Sequence, residues 1–243
     1  SSQAQPRPPP PPLLYEAEGV STQDRASEGP HNIITQSRCA SQSLEFTVEM
    51  ARRHQQEGVA LCRCWEGRPC YWSSSANDSD QSSEWILLRL RSPVCLVTQA
   101  CLHPYRAWWQ PADTDGKYPV YAPKEYQCEF GYFGHDVQRP FGSEETPSMA
   151  KKRAREGWGR SDVHVRTSRV GVAHSASGTP IRLEKPLLVL GGHVMIRMYG
   201  KQQRQTGQIA NEYYTCVQHF ELSGGPVRGL TCTVGGGGGG GGG

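Results

Sequence analysis

From Glu125 to Tyr132 the chain alternates without a break. Tyr126, Cys128, Phe130 and Tyr132 fall on one side, and Glu125, Gln127 and Glu129 on the other. A period of two is that of a half-buried β-strand, because successive Cβ atoms leave a pleated backbone on opposite faces. Such a strand is stable only when a second layer covers its apolar side. The same signature recurs along the chain. Trp85–Leu90 is a compact apolar run, and Val94–Leu102 is a second, rich in β-branched residues and cysteine. Val163/Val165 and Val170/Val172 mark weaker strands. "KPLLVLGG" (185–192) leads into "HVMIRMYG", and "NEYYTCVQHFELSG" closes the series with Tyr214, Cys216, Phe220 and Leu222 on one face. About seven short strands separated by turn signals predict an all-β sandwich or barrel. The one stretch with helical spacing is Leu44–Gln56, where Leu44, Val48 and Ala51 share a face and Gly58 provides a stop.

The ends have a different character. Residues 1–30 open with five consecutive prolines, Pro8–Pro12, and read as a disordered Pro-rich linker in extended polyproline II. Residues 225–243 end in nine glycines and read as a flexible tail. The folded unit is expected over 31–224, with a polar insertion at about 134–162. That insertion carries "KKRAR" (151–155), a solvated charge run or an import signal.

Bulk properties exclude several classes. A formal charge of +3, with acids interspersed among the bases, lacks the basic face of a nucleic-acid binder. No run reaches the roughly 18 apolar residues of a membrane-spanning helix. The nine cysteines are an odd number without regular spacing, and no signal peptide opens the chain, so they read as reduced thiols of an intracellular protein, nuclear or cytoplasmic. "CRC" (62–64) with Cys70 has a metal-like spacing but no identifiable fourth ligand, so no metal or other cofactor is assigned.

A search for catalytic signatures finds no phosphate loop, no G-x-S-x-G elbow and no H-E-x-x-H pair. A hydrolase using His103 or His193 lacks a nucleophile–base motif. "LGGH" (190–193) lies between two strands, where glycines make a bend. The Ser/Asp tract 73–83, which includes Asp78 and Asp80, reads as a solvent loop rather than a calcium or hydrolase loop. Binding chemistry is concentrated instead in "HPYRAWWQP" (103–111). Tyr105, Arg106, Trp108, Trp109 and Gln110 combine flat aromatic rings with a guanidinium and an amide, the composition of a recognition hot spot. "KQQRQ" (201–205) adds Gln203 and Arg204, the latter suited to bidentate bonds with a carboxylate or phosphate.

The ordered blocks "RPCYWSS", "WILLRLRSPVCLVTQACLHPYRAWWQ", "YPVYAPKEYQCEFGYF", "KPLLVLGGHVMIRMYGKQQRQT" and "NEYYTCVQHFELSG", spanning about 70–224, resemble the C-terminal region of a group of plant F-box proteins. A tryptophan-led strand after "YWSS" also resembles the galactose-binding-like, or discoidin-like, jelly roll. These resemblances imply a jelly-roll β-sandwich with at most one or two short helices, and a ligand site in loops at one end. They imply a non-enzymatic substrate-recognition module of a Skp–cullin ubiquitin ligase subunit that binds a protein partner. The alternative is a carbohydrate-binding module with no ligase role. Adaptor and cullin would be reached only through an F-box, a motif that these residues do not contain.

Overall fold

The computed structural model describes residues 12–34, 68–133, 162–205 and 212–227. They form twelve β-strands and a single 3-10 turn, Pro30–Ile34. The strands are β1 (Leu14–Val20), β2 (Trp72–Ser73), β3 (Ser83–Leu90), β4 (Val94–Pro104), β5 (Pro123–Tyr132), β6 (Asp162–Arg166), β7 (Val170–Gly171), β8 (Thr179–Leu190), β9 (His193–Lys201), β10 (Gln203–Arg204), β11 (Tyr213–Tyr214) and β12 (Cys216–Pro226). Every pairing is antiparallel.

One large sheet has the order β1-β3-β9-β5-β6, with β7 also on β5, the other has the order β2-β12-β4-β8, and β10 and β11 form a separate two-stranded pair. The chain changes sheet from β1 to β2, at each step from β2 to β5, from β7 to β8, from β8 to β9 and again on reaching β12. That repeated crossing makes the fold a jelly-roll β-sandwich. Ile86, Leu88 and Leu90 of β3, Val194, Ile196 and Met198 of β9, and Tyr126, Cys128 and Phe130 of β5 supply one inner face. Cys95, Val97, Ala100 and Leu102 of β4 and Val217 and Phe220 of β12 supply the other. Trp72 is wholly enclosed among them. Leu87 points outward from β3 but is covered by Phe133 and Met195, which explains why "WILLRL" is apolar on both faces.

The registers define two ends of the sandwich. Leu14 pairs with Leu90, beside the Arg91–Pro93 turn, and Gly191–Gly192 links β8 to β9 at this same end. Both glycines have positive φ, 97° and 76°, the left-handed backbone that such a corner needs. The opposite end gathers the loops after β1, before β3, between β4 and β5, and from β9 to β12.

Three expectations need correction. The stretch 1–30 is not a linker throughout: Leu14–Val20 is a strand hydrogen-bonded to β3, and Leu13, Leu14 and Val20 are buried in the core. The proline run masks this in a reading by composition. At the other boundary, β12 extends to Pro226, two residues past the expected edge of the domain. Tyr132, expected to be covered with Phe130, is 46% exposed, because it is the last residue of β5 and lies past the edge of the core. The expected helix at Leu44–Gln56, the insertion core 134–161 with its basic cluster, and Cys62 and Cys64 all lie outside the described residues. Cys95, Cys128 and Cys216 carry free thiols. Among the described residues no group of His, Cys, Asp or Glu is placed to hold a metal ion, and no helix is long and apolar enough to cross a membrane.

Candidate functional site

The loops at the Pro104 end enclose a cleft of about 260 Å³, lined by Tyr71, Tyr105, Tyr121, Tyr214 and Trp109, by Gln110, Gln205, Ser73, Ala107 and Cys216, and by Asp24, Arg25, Glu28 and Glu212. Its back wall is built from backbone. Tyr105 N donates to Cys216 O at 3.0 Å, Tyr121 N donates to Tyr105 O at 3.1 Å, and Cys216 N donates to Tyr121 O at 2.8 Å. This closed ring of bonds continues the sandwich beyond the ends of β4 and β12. Tyr71 and Tyr105 stack at 3.9 Å between ring centroids, and Tyr121 meets Tyr214 edge-on at 6.2 Å.

The acidic wall comes from the loop after β1. Asp24 N donates to Ser73 O at 3.1 Å and Ser73 N to Glu28 O at 3.3 Å, which staples this loop to β2. Glu28 Oε1 accepts a hydrogen bond from Tyr71 Oη at 3.1 Å and lies 3.8 Å from Arg25 Nη1. Arg25 Nε is 3.7 Å from Asp24. Burial raises the Glu28 carboxyl above its ordinary range, against the opposing pull of the Tyr71 hydrogen bond. Burial also holds the Tyr71 phenol well above its usual range. On the facing wall, Tyr121 Oη donates to Gln110 Oε1 at 2.6 Å, which fixes the orientation of that amide. Gln205 N donates to Glu212 O at 2.8 Å, so the β10–β11 pair presents both side chains.

Of the residues that the sequence marks for binding, the fold brings Tyr105, Trp109 and Gln110 together in the cleft. Tyr105 is buried there and Trp109 is 55% exposed. Arg106 sits in an isolated bridge with Val120, and burial lowers its ionisation from the usual arginine range. Neither Arg106 nor its half-buried neighbour Trp108 lines the cleft. Arg204 turns away too: its Nε donates to Tyr213 Oη at 2.7 Å and its guanidinium covers that ring at 5.0 Å. Gln203 Nε2 donates to Arg204 O, and it is the next residue but one, Gln205, that reaches the wall. Tyr71, Tyr121, Tyr214 and the charged residues Asp24, Arg25, Glu28 and Glu212 were not marked by sequence. Tyr71, inside "YWSS", carried the one available signal.

The start of the tract 73–83 is tightly organised. Ser74 Oγ accepts from Lys201 Nζ and from Thr215 N, both at 3.0 Å, and donates to Ser75 O. Lys201 Nζ lies 3.0 Å from Glu84 Oε1, while Ser21 and Thr22 donate to Glu84 Oε2. Ser73 and Ser74, expected to face solvent, are therefore buried in the floor beneath the cleft, whereas Asp78, Ser79, Gln81 and Ser83 further along the tract are exposed.

No family model matches the chain. An F-box protein of Arabidopsis thaliana is 25% identical over 157 residues, covering 64% of this chain. The chain spans 39% of the length of that relative. Among solved structures, a family 32 carbohydrate-binding module from a family 31 glycoside hydrolase of Clostridium perfringens overlaps with a TM-score of 0.43 at 10% identity, over 86% of this chain and 90% of that one. A chitosan-binding module from Paenibacillus sp. IK-5 overlaps at 0.39 and 12% identity, over 88% and 97%. An allantoicase overlaps at 0.44 and 11% identity, over 87% and 45%. The chain is thus a distant homologue of an F-box protein, and its jelly-roll fold follows from the strand order itself.

Proposed function

We propose that this domain is the non-enzymatic substrate-recognition module of an F-box-type ubiquitin ligase subunit, acting in the nucleus or cytoplasm. It takes part of a protein partner into the cleft at the loop end of the sandwich. The observation that carries the reading is the cleft itself: stacked tyrosines, an exposed tryptophan, an oriented amide and a charged wall converge where three loops meet beside β2. Aromatic anchors with a few fixed polar groups are the usual make-up of a recognition hot spot. The ligase role is inherited from the resemblance to an F-box protein and applies to the whole polypeptide.

The chemistry of the lining supports binding over catalysis. Its one thiol, Cys216, is pushed up to about 12 by burial, so it stays protonated at neutral pH. The Ser73 hydroxyl donates to Ser74 O and is approached by the Cys216 thiol, with no base in contact. A second reading, carbohydrate binding, is favoured by the exposed Trp109 ring beside Gln110, a pairing on which a sugar stacks well.

The test uses the full-length protein. Its co-purification with a Skp-type adaptor and a cullin is expected, and loss of adaptor binding is not expected in Trp109→Ala. Failure to recruit the adaptor overturns the ligase role. Selective glycan binding on an array, abolished by Trp109→Ala, would transfer the cleft to the carbohydrate reading.

A further inference from the structure

We propose that the cleft selects a cationic side chain, a lysine or arginine presented by a protein partner. This rests on the recognition reading above and adds the chemistry of what is recognised. Four charged residues line the cleft: Asp24, Glu28 and Glu212 against Arg25. Three carboxylates and one guanidinium leave a formal surplus of two negative charges within a space of about 260 Å³. Walls rich in tyrosine and tryptophan favour a cation further, because the face of an aromatic ring carries negative electrostatic potential. An anionic ligand meets repulsion there, and a neutral one leaves the surplus uncompensated.

Arg25 shows how a cation is held. Its guanidinium lies between Asp24 and Glu28, at 3.7 and 3.8 Å. The Arg25 side chain is 73% exposed, whereas the Glu28 side chain is only 4% exposed. The carboxylate is thus fixed in the wall by Tyr71, while its cationic partner hangs in solvent. Arg25 is held only by long contacts, with its side chain largely in solvent, so an incoming ammonium or guanidinium can take its place against the two carboxylates. The space is also smaller than the roughly 300–1,000 Å³ of sites for drug-sized ligands, which suits a single long side chain.

The test is a set of titrations of the domain followed by the indole N–H resonance of Trp109. The probes are a blocked peptide Gly-Ser-Lys-Ser-Gly, the same peptide with Nε-acetyl-lysine, the same peptide with glutamate, and free glucosamine and galactose. Lysine peptide is expected to shift the resonance, with acetylation weakening binding by about tenfold. Asp24→Asn combined with Glu212→Gln is expected to weaken the lysine peptide similarly. Arg25→Ala is expected to strengthen it, an effect that loss of structure does not produce. If all three peptides bind equally, the charge selection is wrong while protein recognition stands. If only the sugars bind, or only glucosamine does, both this inference and the protein-recognition reading fall. If no probe reaches Trp109, the cleft is not the site and both fail.

Discussion

Lys201 and Glu84 form an ion pair at 3.0 Å in which the lysine side chain is wholly enclosed and the carboxylate nearly so. The pair is saturated by hydrogen bonds. Ser74 and the Ser75 carbonyl accept from the ammonium, and Ser21 and Thr22 donate to the carboxylate. Through these partners it joins the end of β9 to the loop after β1, which carries Asp24 and Glu28, and to the loop after β2, which directly follows Tyr71–Ser73. A buried pair need not stabilise more than apolar residues would, but removing one member leaves an uncompensated charge. Here the pair sets the position of the cleft.

Lys201→Met should therefore lower stability by about 3–5 kcal/mol in urea denaturation. Adding Glu84→Gln should recover part of that loss, because the stranded carboxylate is gone. Strict additivity of the two single changes would show that the residues do not act as a pair.

Tyr105 and Trp109 separate structure from recognition. Tyr105→Ala removes a buried ring stacked on Tyr71 and should lower stability by about 3–5 kcal/mol. Trp109→Ala removes a ring that is 55% exposed and should stay within about 0.5 kcal/mol of the parent. Thermal unfolding of the two variants side by side checks this contrast.

The pH dependence of Glu28 has a definite sign. Its folded-state value is raised above 4.5, so the native state holds this proton more tightly than the unfolded chain does. The contribution is fully favourable below about 4.5 and is lost as pH rises through the raised value, so at higher pH the ionised group is a net cost. Tyr71, Asp24 and Arg25 face this carboxyl. Denaturation of wild type and Glu28→Gln at a series of pH values should show the wild type losing ground to the variant as pH rises from 4.5. A difference that is flat with pH would mean that Glu28 does not titrate abnormally.

Much of the sandwich was legible because strand periodicity is local. Tyr126, Cys128 and Phe130 announce their face, and the glycines of "LGGH" announce a corner. The exposure of Tyr132 was not legible, because alternation assigns a face but does not show where the covering sheet ends. The cleft was legible only where its residues are contiguous, at Tyr105, Trp109 and Gln110. Asp24 and Glu28 reach it through two backbone bonds at Ser73, from a stretch whose composition looks like a linker. Lys201 and Glu84 lie far apart in sequence, and nothing local shows that their charges are buried together.

The corner glycine Gly191 differs from the turn glycine Gly116 in what surrounds it. A Cβ on Gly191, at φ 97°, would lie 2.4 Å from the Gly131 carbonyl carbon, whereas one on Gly116, at φ 74°, meets nothing within 4 Å. Gly191→Ala combines backbone strain with this clash and should cost about 3 kcal/mol or more. Gly116→Ala carries only the strain and should cost about 1–2 kcal/mol. Equal effects in urea denaturation would mean that the corner is not tightly packed.

The most direct test of the cleft as the recognition surface compares proteins bound by full-length wild type with those bound by Trp109→Ala combined with Asp24→Asn, quantified by mass spectrometry after purification from cells. The expected result is retention of the adaptor and cullin with selective loss of a partner whose binding segment contains a lysine or arginine. An unchanged set of partners, from a variant that remains folded, would contradict it.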